Sequence, residues 1–295
     1  MVAAVDEFWT TRRFGLGRSL IETALWVTLL AGVAALIGLS VPASPRVEPG
    51  SAVALGGVLL GIGAWLNGAC ALGTLAKIGS GQWAFFVTLG GIIAGIEASA
   101  RVGMMSLPGL SMQAMPSVST MISFSGVLLV AFHWRSLLGL TASDDRHPQQ
   151  SLKWATVAIG ICITIIALSV GSWSYTGALH AIFRDGPLYH SFDLAMMTAI
   201  LGGAIVGGSL SKTMSMQEEG GGLLDYARHL GGGILMGLGG GLVPGGNDQL
   251  ILFNAPMFEP FAWLALTTMT LTILACLVVG ARTATAPPDP TDVAR

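Results

Sequence analysis

The chain has 295 residues, of which 53% are hydrophobic and only 10% are charged, and its mean hydropathy is +0.71. Soluble domains carry about a quarter charged residues, so this composition excludes an ordinary soluble enzyme and indicates an integral membrane protein. The formal net charge of −2 gives no basis for nucleic-acid binding, and we expect none.

Several stretches are apolar and long enough to cross a bilayer, which takes roughly 20 apolar residues. They lie at about 19–40, 51–69, 82–99, 117–134, 153–173, 192–211, 229–243 and 261–281. Two short apolar pieces, at about 70–78 and 247–255, follow glycine-rich breaks, and 175–184 is a candidate interfacial helix. We therefore predict an all-α, polytopic helix bundle that forms a single transmembrane transport domain over 1–282, followed by a disordered tail at 283–295.

Basic residues suggest the orientation. Arg12, Arg13 and Arg18 precede the first span, so the positive-inside rule favours a cytoplasmic N-terminus. No cleavable signal peptide is evident at the N-terminus, and we expect the first span to be retained. The expected location is the inner, plasma membrane of a bacterial cell, with the chain crossing the lipid bilayer several times.

Two segments repeat each other at a constant offset: "GVLLGIGAWLNGACALGTLA" (57–76) and "GILMGLGGGLVPGGNDQLIL" (233–252). Each becomes unfavourable for a helix, at Asn67-Gly68-Ala69 and at Pro244-Gly245-Gly246, and each then resumes as a short apolar piece. We predict two repeats, at about 19–134 and 153–281, that contain broken or re-entrant half-helices. Paired Gly/Pro-interrupted segments are the best sequence pointer to a transporter binding site.

The breaks supply the candidate substrate-binding and pore residues. Non-helical backbone inside a membrane persists only where it is covered by protein or lines a polar path, and a half-helix that starts at a break directs free N–H groups at an anion. The candidates are Asn67, Gly68, Ala69 and Cys70 in the first break and Gly245, Gly246, Asn247 and Asp248 in the second.

The polar candidates have alternative interpretations. Asn67, Asn247 and Asp248 are equally interpretable as helix caps and as substrate contacts. A carboxylate inside a membrane is costly, so Asp248 is protonated, paired with a cation such as Lys77, or a proton carrier. For Lys77 itself we favour a lysine that snorkels to the interface over electrostatic attraction of the anion.

These motifs resemble the YeeE/YedE family of sulfur-compound transporters, whose best-known activity is thiosulfate uptake. The resemblance lies in "GVLLGIGAWLNGAC", in "CALG" (Cys70 to Gly73) and in "GGGILMGLGGGLVPGGND". It implies an hourglass narrowed by short re-entrant helices, in which pore cysteines relay the ion and Cys70 contacts the substrate sulfur. The second repeat departs from the pattern, because the constant offset places Gly246 opposite Cys70.

The sequence therefore predicts a transporter or channel for a small sulfur-containing anion, most simply thiosulfate, and not an enzyme. No P-loop motif is present, so transport is passive or coupled to an ion gradient, and a cytoplasmic sulfur-processing protein is a candidate partner. Three cysteines without CxxC spacing, and no HExxH motif, predict no metal and no cofactor. The alternative is a membrane sulfur carrier that holds a persulfide on Cys70.

Overall fold

A computed structural model describes residues 1–41, 47–103, 118–137, 149–171, 173–211, 222–243 and 245–284. The structure is 83% helical, and its described residues include no strand. The predicted all-α class is therefore confirmed.

The described helices follow the predicted apolar stretches in chain order. They are α1 (Val2–Thr11), α2 (Gly15–Leu36), α3 (Ser51–Asn67), α4 (Ala71–Gly79), α5 (Phe86–Arg101), α6 (Val118–Leu137), α7 (Gln149–Val170), α8 (Tyr175–Asp185), α9 (Ser191–Leu210), α10 (Leu223–Leu242), α11 (Gly246–Gln249) and α12 (Pro260–Ala284). A 3₁₀ turn, Trp83–Phe85, precedes α5, and α11 continues into a π-helical turn, Leu250–Asn254.

Length and hydropathy identify the membrane spans. Among the described residues, the segments long and apolar enough to cross a bilayer are Gly15–Leu36, Ser51–Gly79, Trp83–Arg101, Ser191–Leu210 and Pro260–Ala281. The bent pair of α7 and α8 adds a sixth if it is counted as one span. The chain is therefore a multi-pass membrane protein.

Three details differ from the sequence prediction or fall outside it. The amphipathic helix α1 was not predicted: it has ten residues, and only one of its faces is buried. Helix α10 begins at Leu223, six residues before the predicted span. Hydropathy missed its first turns because they carry polar side chains. Helix α12 extends to Ala284, so the predicted tail starts later than 283. The rest of that tail and Pro244 lie outside the described residues.

Glycines let the central helices approach each other closely. Helix α10 packs against both α3 and α5, and α3 packs against α12. Added Cβ atoms on Gly91 and Gly95 of α5 would collide with the backbone of α10, and those on Gly233 and Gly237 would collide with α5. Small residues of this kind are what membrane helices use to pack. This central group of helices carries both breaks.

Candidate functional site

The first break joins α3 to α4 through three residues, Gly68, Ala69 and Cys70. Gly68 ends α3 in the left-handed conformation (φ 74°, ψ 1°), where a side chain would be strained. Cys70 then precedes α4 as its N-cap, with extended backbone (φ −75°, ψ 174°). The thiol therefore lies where the first free N–H groups of α4 point.

Asn67 forms hydrogen bonds that hold this break together. Its Nδ2 donates to the carbonyl of Ala69 (2.9 Å) and to Thr74 Oγ1 (3.1 Å), while its Oδ1 accepts from Thr88 Oγ1 (2.7 Å) and lies 2.8 Å from His229 Nδ1. Both amide protons and both oxygen lone pairs are thus used. These hydrogen bonds hold the break together and are not those of a helix N-cap, whereas substrate contact by Asn67 stays a prediction.

His229 is a residue that the sequence did not single out. The carbonyl of Ala69 fixes the orientation of the Asn67 amide, and Asn67 Oδ1 only accepts hydrogen bonds, so His229 Nδ1 must carry a proton. The imidazole also packs against the Phe85 ring, with centroids 4.3 Å apart. No local pattern links positions 67 and 229, because the contact depends on the packing of α10 against α3.

The second break has nearly the same glycine conformation as the first. Gly245 has φ 79° and ψ 2°, close to the values of Gly68, and Gly246 is also left-handed (φ 61°). Matching Gly245 to Gly68 by conformation pairs Asn247 with Cys70, although Cys70 precedes α4 as its N-cap and Asn247 lies within α11. The constant sequence offset pairs Gly246 with Cys70 instead, so the two alignments differ by one residue at this point.

Asp248 caps a helix, but not the helix that follows it in sequence. Its Oδ2 accepts from the backbone N–H of Tyr175 (2.8 Å), and its Oδ1 accepts from Thr176 Oγ1 (2.9 Å), both at the start of α8. The positive end of a helix dipole stabilises a carboxylate there. The Tyr175 hydroxyl in turn donates to the carbonyl of Ala71 (2.8 Å) and ties α8 to the first break.

Cys70 and Asn247 come together where the two breaks meet. Both are buried, with 6% and 1% of their surfaces exposed. The Asn247 side chain lies beside Cys70, and neither its Nδ2 nor its Oδ1 has a hydrogen-bond partner among the described residues. Asn247 lines a cavity of about 10 Å³, which is barely the space for one water molecule. The site is therefore closed around an unsatisfied amide.

The other predicted site residues divide into two groups. Gly73 leaves room beside the thiol, since a Cβ there would lie 3.7 Å from Cys70 Sγ. Gly68 is exposed, and Ala69 packs into a separate apolar cluster with Ile78 and Phe85. Lys77 is exposed in the last turn of α4, about 10 Å along the helix from Cys70. Only Gly73 adjoins the thiol.

The two remaining cysteines do not extend this site. Cys162 is exposed on α7, and Cys276 is half-buried within α12, so neither belongs to a break. Among the described residues, no group of three His, Cys, Asp or Glu side chains could hold a metal ion. Cys70 is thus the one described thiol at a break, where it lies beside the Asn247 side chain.

A bundle of apolar helices long enough to cross a bilayer defines a multi-pass, α-helical membrane protein. A family model described as sulphur transport matches residues 1–275, and the chain belongs to this family, the YeeE/YedE family. The resemblance predicted from the sequence is therefore confirmed. No protein with a curated description matches the chain. The family consists of transporters and not of enzymes, so the function is transport of a sulfur compound.

Proposed function

We propose that this protein carries a small sulfur-containing anion, with thiosulfate as the type substrate, across the bacterial inner membrane past Cys70 and Asn247. The observation that carries the proposal is the buried amide of Asn247, whose two polar atoms lack partners beside a buried thiol. An unpaired buried polar group costs ~1–3 kcal/mol. A passing anion that accepts a hydrogen bond from Asn247 Nδ2 would remove part of that cost.

The chemistry of the two breaks suits a sulfur anion. Free N–H groups and the positive dipole end of α4 favour negative charge next to Cys70. The soft, polarisable sulfur of Cys70 suits the terminal sulfur of thiosulfate, while the Asn247 amide suits its oxygens. The left-handed Gly68 and Gly245 interrupt the two helices on either side of this constriction.

The sequence bears on the driving force of transport. Without a P-loop motif, the anion moves down its own gradient or with a coupled ion. We propose that a cytoplasmic sulfur-processing protein then consumes it. The alternative, a persulfide carrier, requires sulfane sulfur to remain covalently on Cys70, and mass spectrometry of the purified protein after exposure to thiosulfate detects that adduct.

The test is uptake of sulfur-labelled thiosulfate into cells that lack their own uptake route. We expect uptake by the wild type to fall about tenfold or more in Cys70→Ala, Cys70→Ser and Asn247→Ala, equivalent to ~1.4 kcal/mol or more. Cys162→Ser is the matched control, because that thiol is exposed on α7, and its uptake stays at the wild-type level.

Two outcomes would contradict the proposal. Uptake that survives in all three variants at equal expression would remove Cys70 and Asn247 from the pathway. No uptake by the wild type would remove thiosulfate and direct the assay to other sulfur anions.

A further inference from the structure

The N-terminal end of helix α1 lies beside the site that the proposed function assigns to the anion. The Met1 amino group lies 3.4 Å from Cys70 Sγ. Val2 and Val5 are buried in the same apolar cluster as Cys70. At ten residues, α1 is about 15 Å long, which is too short to cross a membrane.

Only a small part of α1 contacts the rest of the protein. Its buried residues are Val2, Ala4 and Val5, and its opposite face, which includes Ala3 and Asp6, is exposed. Segments with few buried contacts open at low free-energy cost. Helix α1 is therefore attached more weakly than the glycine-packed helices around it.

Besides its buried residues and the contact of Met1 with Cys70, a tight turn and an exposed hydrogen bond hold α1 in place. Arg12 ends the helix in the left-handed conformation (φ 55°) and reverses the chain toward α2. Glu7 Oε2 accepts a hydrogen bond from the backbone N–H of Leu16 (2.7 Å) in the first turn of α2, where a helix dipole favours a carboxylate. This exposed bond acts as a latch between α1 and α2.

We propose that α1 is a plug that closes one approach to Cys70 and Asn247 and swings out about the turn at Arg12 when the anion passes. Helix α1 covers one side of the thiol, because the Met1 amino group lies against Cys70 Sγ and Val2 and Val5 share its apolar cluster. The cavity of about 10 Å³ beside Asn247 is too small for an anion of several atoms. The identity of the anion that passes the plug rests on the proposed function. The closure itself is tested without any substrate.

The experiment measures alkylation of Cys70 by N-ethylmaleimide in the full chain, with Cys162→Ser and Cys276→Ser so that one thiol remains. In the latch test, Glu7→Ala removes the acceptor for Leu16, and Asp6→Ala is its exposed neighbour and control. We expect the alkylation rate to rise about tenfold in Glu7→Ala and to stay at the wild-type rate in Asp6→Ala.

A second pair of variants expels the plug without using the latch. Val5→Asp places a charge in the buried cluster, and Ala3→Asp places the same charge on the exposed face. We expect faster alkylation in Val5→Asp only. Size-exclusion chromatography confirms that each variant remains folded.

Equal and slow alkylation in both pairs would overturn the proposal. Fast alkylation in the wild type would overturn it as well, because the approach would then be open. Absence of thiosulfate uptake together with the expected alkylation pattern would leave the plug standing and remove only the proposed substrate.

Discussion

The carboxylate of Asp248 shows how a costly residue is stabilised inside this protein. The sequence left three explanations open, and the structure supplies two hydrogen-bond donors at the start of α8. A capping role makes no use of proton transfer, whereas a symport role requires the side chain to titrate. The two roles therefore predict different results for a neutral amide at this position.

We predict that Asp248→Asn retains thiosulfate uptake, because its side-chain oxygen still accepts a hydrogen bond from Tyr175 or Thr176. Asp248→Ala leaves both donors unpaired and should destabilise the protein by ~1–3 kcal/mol, measured as a lower Tm in detergent. The exposed Asp6→Ala is the control for the Tm comparison. Loss of uptake in well-folded Asp248→Asn would instead indicate a proton carrier.

For single residues, the sequence predicted which side chains lie at the breaks better than it predicted the residues that they contact. Cys70 and Asn247 were both candidates, since a glycine-rich break with a thiol or an amide is visible locally. The capping preference of Asp248 was also visible, but its partner helix begins 73 residues earlier in the chain. Such a contact depends on tertiary packing, which no single-sequence pattern contains.

Among the secondary-structure elements, glycine positions determine how closely α5 and α10 pack. The glycines of α5 differ in their surroundings: Gly95 faces the carbonyl of Ile234, whereas a Cβ on Gly90 would meet no atom within 4 Å. The two residues lie in the same helix, so a substitution by alanine has the same effect on helix propensity at both. Comparing the two substitutions therefore isolates the contribution of helix packing to the stability of the protein.

We predict that Gly95→Ala destabilises the protein by ~1–3 kcal/mol, because the added methyl group forces the two helices apart. Gly90→Ala should be neutral or stabilising, since alanine is favoured over glycine by ~1 kcal/mol in a helix interior. Tm values of the two variants in detergent provide the measurement. Equal Tm values would mean that α5 and α10 do not pack through Gly95.

Hydropathy predicted most helices because a bilayer imposes their length and apolar character. It did not predict α1, whose buried face holds only Val2, Ala4 and Val5 and whose other residues are partly polar. Short amphipathic helices are stabilised by the surface that they meet rather than by their own composition. That surface exists only in the folded protein.

For the whole molecule, we propose from the contacts between α3 and α10 that the two predicted repeats have inverted topology. Gly56 meets Gly239, and Gly63 meets Gly232. The repeat offset equates Gly56 with Gly232 and Gly63 with Gly239, so each contact is the symmetric image of the other. As the residue number rises along α3, the number of the contacted glycine in α10 falls. The two equivalent helices are therefore antiparallel, as a pseudo-two-fold axis in the membrane plane requires.

This arrangement also places three basic residues at the same end of the bundle. Helix α10 begins at the end opposite the start of α3. Because α2 spans the membrane and leads directly to α3, the start of α2 lies at the same end as the start of α10. Arg13, Arg18 and Arg228 therefore share one end, which the positive-inside rule assigns to the cytoplasm. The plug α1 would then close the cytoplasmic approach to Cys70.

We predict that Glu48 and Gly222 face opposite sides of the membrane, since Glu48 precedes α3 and Gly222 precedes α10. Both are exposed, so a cysteine at either position is reachable by a maleimide. In a background without Cys70, Cys162 and Cys276, an impermeant maleimide added to intact cells should label Glu48→Cys and leave Gly222→Cys unlabelled. Permeabilised cells, the control, should label both. Labelling of Gly222→Cys alone in intact cells would reverse the orientation and place the plug at the outer face, whereas equal labelling of both would contradict the inverted repeat.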